Sequence, residues 1–220
     1  YKLDTEEVVA KGRTYNSSNN NPIVIKLDPG VYDVEIKALE IETSPTQKIT
    51  AVEILSGETL ENIVDFSSGT LKIGALQGEK FIDAVIHIND PDTGEHVAQG
   101  RTYTSSKSNP KVFELSPGVY DVKVSALKIT NKPSQEFSGI EIKASETIEE
   151  TAQFTSGQLK IGALEGEKFV DAVVSITDTK TGEKIAQGRT YTSSKSNPKV
   201  FELIPGIYNI EVKSLAIQGH

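Results

Sequence analysis

The chain has 220 residues, room for one to three domains, with 25% charged and 36% hydrophobic residues and a net charge of −8. That acidity argues against a general nucleic-acid binder, which needs a basic face to displace counterions, and no apolar run reaches the ~18 residues of a membrane helix. Cysteine and methionine are both absent, which excludes disulfides and thiolate metal sites; with Tyr1 first and no signal peptide, the chain reads as processed or as a piece of a longer one.

GRTYTSSKSNPKVFEL, at Gly100–Leu115, returns letter for letter at Gly188–Leu203, and a looser version, GRTYNSSNNNPIVIKL, stands at Gly12–Leu27. The three leading glycines are 88 residues apart. FSSGTLKIGALQGEKFIDA from Phe66 returns at the same spacing as FTSGQLKIGALEGEKFVDA from Phe154. The chain is therefore expected to be a tandem array. Where the second and third copies overlap, roughly two-thirds of positions are identical. Residues 1–65 make a partial repeat lacking its first strands, 66–153 a complete repeat, and 154–220 a partial repeat lacking its last strands. The pattern resembles a window cut from a longer array.

The middle repeat predicts seven short strands. Leu71, Ile73 and Ala75 alternate with polar or small residues, the period-two signature of a half-buried strand. Ile82, Ala84, Ile86 and Ile88 share the next inner face, with Asp83 and His87 opposite. Asp90–Glu95 reads as a turn in which Gly94 supplies a positive φ. A third strand is expected over about Glu95–Tyr103, then the polar loop Thr104–Pro110, and a fourth strand over Lys111–Leu115. Pro117-Gly118 predicts a tight turn with a positive φ at the glycine. The fifth strand, Val119–Ile129, puts Tyr120, Val122 and Val124 on one face, and Gly139–Ala144 and Thr147–Phe154 read as a closing short hairpin. Strands at this spacing predict an all-β fold, a tandem array of seven-stranded Ig-like or prealbumin-like β-sandwich repeats with an 88-residue period. Only Thr155, Ser156 and Gly157 separate the second repeat from the next strand, too short a joint for a flexible tether.

Candidate chemistry is sparse. The histidines are His87, His96 and His220, and the third copy has Ser175 and Lys184 where the second has His87 and His96. A catalytic triad or zinc site built once per repeat is thereby excluded, and no nucleophile–base pairing is visible. No enzyme and no cofactor is expected. Asn89–Glu95 offers Asp90, Asp92 and Glu95 as calcium-ligand types, but Lys180 stands at the place of Asp92 in the third copy, and turn chemistry accounts for the same residues. Lys72 and Lys160 lie in first strands, where some surface sandwiches form Lys–Asn isopeptide bonds, yet the last strand, TIEETAQF, holds no Asn.

The repeated loop is the sharpest feature. Arg101, Tyr103, Lys107, Asn109 and Lys111, and again Arg189, Tyr191, Lys195, Asn197 and Lys199, form a candidate contact patch shown once per repeat. Tyr offers rigid area, Arg forks onto carboxylates, and a fixed pitch gives multivalency. The same residues also read structurally, as a strand-to-strand crossing with Asn109-Pro110 setting the turn and Arg101 pairing with an acidic neighbour.

LKIGALxGEKFxDAVxxIxDxxTGE, then AQGRTY, then FELxPGxYxxxVxxLxI, resembles the transthyretin-like or carboxypeptidase-regulatory-like β-sandwich group, with a layout similar to PEGA and Cna-B modules. It also resembles tandem repeats found beside von Willebrand factor A-type domains in bacterial envelope proteins, although no DxSxS metal motif of such a domain is present. The resemblance implies non-catalytic spacers, stalks or binding units at the cell surface, outside the cell or in the periplasm. Two functions follow as expectations. One is a structural rod that self-associates or joins neighbouring repeats, with strand complementation between chains as a route to polymers. The other is an adhesin presenting the TSSKSNPK loop to a protein or glycan.

Overall fold

Period-two alternation recurs along the whole chain, and the fold is all β. In the computed structural model, which describes residues 1–3, 5 and 7–215, no helix occurs among the described residues, so none is long and apolar enough to cross a membrane. His220 lies outside the described residues.

The N-terminal stretch contributes one antiparallel pair, β1 (Gly30–Lys37) and β2 (Thr46–Ile54). The middle stretch holds β3 (Gly69–Gln77), β4 (Lys80–Phe81), β5 (Ala84–Asn89), β6 (His96–Thr102), β7 (Lys111–Leu115), β8 (Gly118–Ala126), β9 (Ser134–Ile142) and β10 (Thr147–Phe154). Two sheets form there. In one, β3 lies between β10 and β7 and meets the short β4 at its end; the other runs β6-β5-β8-β9. Their inner faces meet in a sandwich-like core. Leu71, Ile73 and Ala75 from β3 and Phe113 and Leu115 from β7 face Ala84, Ile86 and Ile88 from β5 and Tyr120, Val122 and Val124 from β8, all buried. Each large aliphatic side chain removed from water there contributes about 1.5–3 kcal/mol.

Several expectations change at this level. Gly139–Ala144 and Thr147–Phe154 do not close a hairpin: β9 pairs with β8, whereas β10 crosses to the other sheet and runs parallel to β3, Thr147 opposite Thr70. The sixth strand starts earlier, at Ser134, and the fifth ends earlier, at Ala126, leaving Ile129 buried just beyond it. Gly118 opens β8 without a positive φ. Its missing side chain instead makes room for a ring, since a Cβ there would stand 3.3 Å from the Tyr120 hydroxyl, which donates to the Ser116 carbonyl at 2.9 Å. Tyr32 and Tyr208 make the same bond four residues back, to Asp28 and Ile204, each at 2.8 Å. The residue after the tyrosine serves a bulge: Asp121 accepts the Gly139 N–H at 2.8 Å where the β8–β9 register shifts, and Asp33 accepts the Ala51 N–H at 2.9 Å.

The third stretch holds β11 (Gly157–Ile161), β12 (Leu164–Glu165), β13 (Lys168–Phe169), β14 (Ala172–Asp178), β15 (Lys184–Arg189), β16 (Lys199–Leu203) and β17 (Tyr208–Ser214). Here β11 pairs with β16, and β15-β14-β17 form a second sheet. Val174, Ile176, Phe201 and Leu203 make its core. Ile210 and Val212 of β17 are 43% and 46% exposed, whereas Val122 and Val124, 88 positions earlier in β8, are covered.

Consecutive stretches touch through one recurring contact. The Glu42 N–H donates to the Glu114 carbonyl and the Thr130 N–H to the Glu202 carbonyl, both at 2.8 Å. Side chains cross beside each contact: the Thr43 and Ser116 hydroxyls lie 2.6 Å apart at the first, and Gln77 donates to the Glu202 carboxylate at 3.0 Å at the second. Within the acceptor's own stretch, the Ser68 hydroxyl donates to the Glu114 carboxylate at 3.3 Å and the Ser156 hydroxyl to that of Glu202 at 2.6 Å.

Candidate functional site

The repeated loop leaves β6 at Thr102 and enters β7 at Lys111, and its interior member is Asn109. This side chain is 1% exposed, ahead of a cis Asn109–Pro110 bond. Its Oδ1 accepts the Ala75 N–H at 3.0 Å, and its Nδ2 donates to the carbonyls of Ala75 at 2.8 Å and of Ile82 and Tyr103 at 3.3 Å. Asn197 repeats the pattern with Ala163, Val170 and Tyr191. The amide bonds the Ala75 backbone just beyond the β3–β7 ladder, which ends at Ile73 opposite Lys111. As candidate contact residues, Asn109 and Asn197 are therefore displaced: both are buried and committed to backbone, out of reach of a partner.

Thr102 is the second buried anchor. Its hydroxyl donates to the Ile82 carbonyl at 2.9 Å and accepts the Ala84 N–H at 3.1 Å, and Thr190 does the same with Val170 and Ala172. Gly100 has a third task. A Cβ there would lie 2.5 Å from the Phe113 ring, and one at Gly188 would lie 2.7 Å from the Phe201 ring. The glycine lets an aromatic from the facing sheet close over β6.

Arg101 and Tyr103 point outward together. The guanidinium forks onto Asp83, Nε to Oδ1 and Nη2 to Oδ2, both at 2.6 Å, and lies 5.0 Å above the Tyr103 ring. Asp83 reaches it because the β5–β6 register sets Val85 opposite Arg101. Hydrogen bonds from Arg101 hold the Asp83 carboxyl below the usual carboxylate range, outweighing the opposing effect of desolvation. Arg189 grips Asp171 in the same manner and covers Tyr191 at 5.0 Å; Arg13 covers Tyr15 at 5.0 Å. Tyr103 and Tyr191 remain 50% exposed, so each ring is fixed on one face and open on the other. Lys107 and Lys195 are exposed on the loop tip, where the Ser105 and Ser108 hydroxyls bond each other at 3.1 Å. Lys111 folds back over the Phe113 ring at 5.3 Å, and Lys199 occupies the half-buried position 88 residues on.

The structure thus brings Arg101 and Tyr103 together on a surface, leaves Lys107 exposed on the loop tip, and turns Asn109 inward. The acidic partner expected for Arg101 is Asp83, and its sequence signal is its place in both FIDA and FVDA, 18 residues before the arginine.

The Asp90 turn is built from backbone. Asp90 Oδ1 accepts the N–H groups of Asp92 and Thr93 at 2.9 and 2.8 Å and the Thr93 hydroxyl at 3.0 Å, with Gly94 at φ +72°. The Thr93 bonds hold the Asp90 carboxyl low. Asp178 caps its own turn with the N–H groups of Lys180 and Thr181. Among the described residues no three His, Asp or Glu side chains gather closely enough to hold a metal ion.

No protein-family model matches the chain, and no curated protein matches it. Among solved structures, one titled "The Bacillus anthracis TIE protein" is similar at 23% identity and a TM-score of 0.34. The likeness covers 85% of this chain, which spans 36% of that one.

Proposed function

We propose that the chain is a structural, non-catalytic rod, a tandem array of seven-stranded β-sandwich repeats with an 88-residue period, serving in an extracellular or cell-surface stalk, filament or matrix. The observation that carries this reading is the recurring joint. Glu42 bonds Glu114, and Thr130 bonds Glu202, with the same donor and acceptor atoms and the same 2.8 Å length. Each acceptor residue also holds a serine from the strand connection. A contact repeated in register sets one repeat against the next in one orientation, and only Thr155 and Ser156 separate β10 from β11. A strand of about ten residues spans roughly 33 Å, so each repeat adds some tens of ångströms to the rod. Electron microscopy of the native, full-length material tests the reading: slender rods with a regular axial repeat support it, and globular particles contradict it.

The clamped tyrosines favour a second reading, a binding unit. Arg101 and Arg189, each neutralised by an aspartate, hold Tyr103 and Tyr191 as half-open platforms at a fixed pitch. Replacing both tyrosines with Ala separates the readings. An adhesin loses attachment to its protein or glycan while staying folded; a rod keeps its shape and loses nothing else.

A further inference from the structure

We propose that His87 and His96 together form a surface site for a borderline divalent transition ion, of the class of Zn²⁺, Ni²⁺ or Cu²⁺, on the second repeat alone. The two rings stand 6.0 Å apart between centroids, edge to face at 61°. A bulge creates the pairing. The β5–β6 register passes from Ile88 opposite Ala98 to Asn89 opposite His96, so that Val97 and Ala98 both turn toward the core and His96 returns to the outer face beside His87. His87 is half-buried and His96 exposed.

Imidazole nitrogen binds such ions at about 2.0–2.1 Å. Two rings sharing one tetrahedral ion then have centroids about 5 Å apart. The observed pairing, 6.0 Å and edge to face, reaches that geometry by rotation of the two rings about their side-chain torsions. Imidazole suits zinc, nickel and copper, and no thiolate in the chain competes for the ion. Lys123 sits opposite His87 on β8, and its ammonium is drawn toward β9 by Glu136 at 2.9 Å. Two protein ligands leave the remaining positions open for water or for a donor on another molecule.

The repeat supplies an internal comparison. The third copy, identical to the second at roughly two-thirds of shared positions, departs from it at both places, with Ser175 and Lys184, and the first has Val8 at the position of His96. Those departures also provide variants the fold already accommodates, His87→Ser and His96→Lys.

The test is calorimetric titration of the full chain with Zn²⁺, Ni²⁺ and Cu²⁺ salts, alongside His87→Ser, His96→Lys and His220→Ala, each first matched to the parent chain in circular dichroism and thermal midpoint. Imidazole nuclear magnetic resonance signals follow the same titrations. The expected result is one site per chain, weakened at least tenfold by either His87→Ser or His96→Lys and unchanged by His220→Ala, with the His87 and His96 signals shifting together. Binding that survives both substitutions, binding lost only with His220→Ala, or no binding below millimolar ion would each overturn the proposal.

Discussion

The Thr130 N–H donates to the Glu202 carbonyl at 2.8 Å, and the Glu202 carboxylate accepts from Ser156 and Gln77 in the same joint. One residue therefore ties the middle stretch of the chain to the third through both its backbone and its side chain. Glu202→Ala should keep the backbone bond, remove about 1–2 kcal/mol of joint stabilisation, and leave the unfolding midpoint of each repeat nearly unchanged. Paired spin labels in the second and third repeats measure this. A broadened distance distribution is expected, and an unchanged one would show that the side chain does not set the joint.

Asn109 should matter more to stability than any exposed member of its loop. Asn109→Ala leaves the Ala75 N–H and three carbonyls without the amide, at a cost of about 2–4 kcal/mol. Lys107→Ala, on the exposed tip, should stay within about 0.5 kcal/mol. Urea unfolding of the two variants decides the point, and equal effects would refute the buried-anchor role.

Acid should weaken the fold partly through Asp83. Its folded-state carboxyl is held low by the hydrogen bonds from Arg101. Its contribution is therefore fully present above the unfolded value of about 3.9 and is lost as pH falls through the lower folded value. Asp90, Asp171 and Asp178 are shifted the same way, so each contributes to the same acid limb. Asp83→Asn should lower stability at pH 7 and flatten, without abolishing, the decline below about pH 4. Denaturant midpoints from pH 7 to pH 2 report it, and an acid limb as steep as that of the parent chain would count against the pair.

Gly100 is a packing position. A Cβ at 2.5 Å from the Phe113 ring must displace a side chain that is 1% exposed in the core. Gly100→Ala should cost about 1–3 kcal/mol by overpacking, and adding Phe113→Leu should recover part of that loss. Strict additivity of the two substitutions in urea unfolding would rule out the steric account.

Much of the β5 and β8 geometry is readable from residue alternation. Ala84, Ile86 and Ile88, and Tyr120, Val122 and Val124, are expected on inner faces and are buried there. The turn at Gly94 is readable too, because a positive φ leaves few residue choices. Partners distant in sequence are not readable. Nothing local marks β10 as the parallel neighbour of β3, since a parallel partner is chosen by the facing sheet and not by a turn. Asn109-Pro110 carries the composition of an exposed turn. That its amide points inward depends on the backbone of Ala75 and Ile82, 34 and 27 residues away. Arg101 advertises a carboxylate partner, but Asp83 becomes that partner only once the β5–β6 register is fixed. The β9–β10 segment misleads for a related reason: its spacing fits a hairpin, while its apolar residues serve two different sheets.

Small-angle X-ray scattering of the chain in solution tests the rod most directly. A compact particle of 220 residues has a radius of gyration of about 17 Å. The proposed rod, with its stretches held by the Glu42–Glu114 and Thr130–Glu202 contacts, should give a value well above that, with a long tail in the pair-distance distribution. A radius near the compact value, with a symmetric distribution, would contradict the rod.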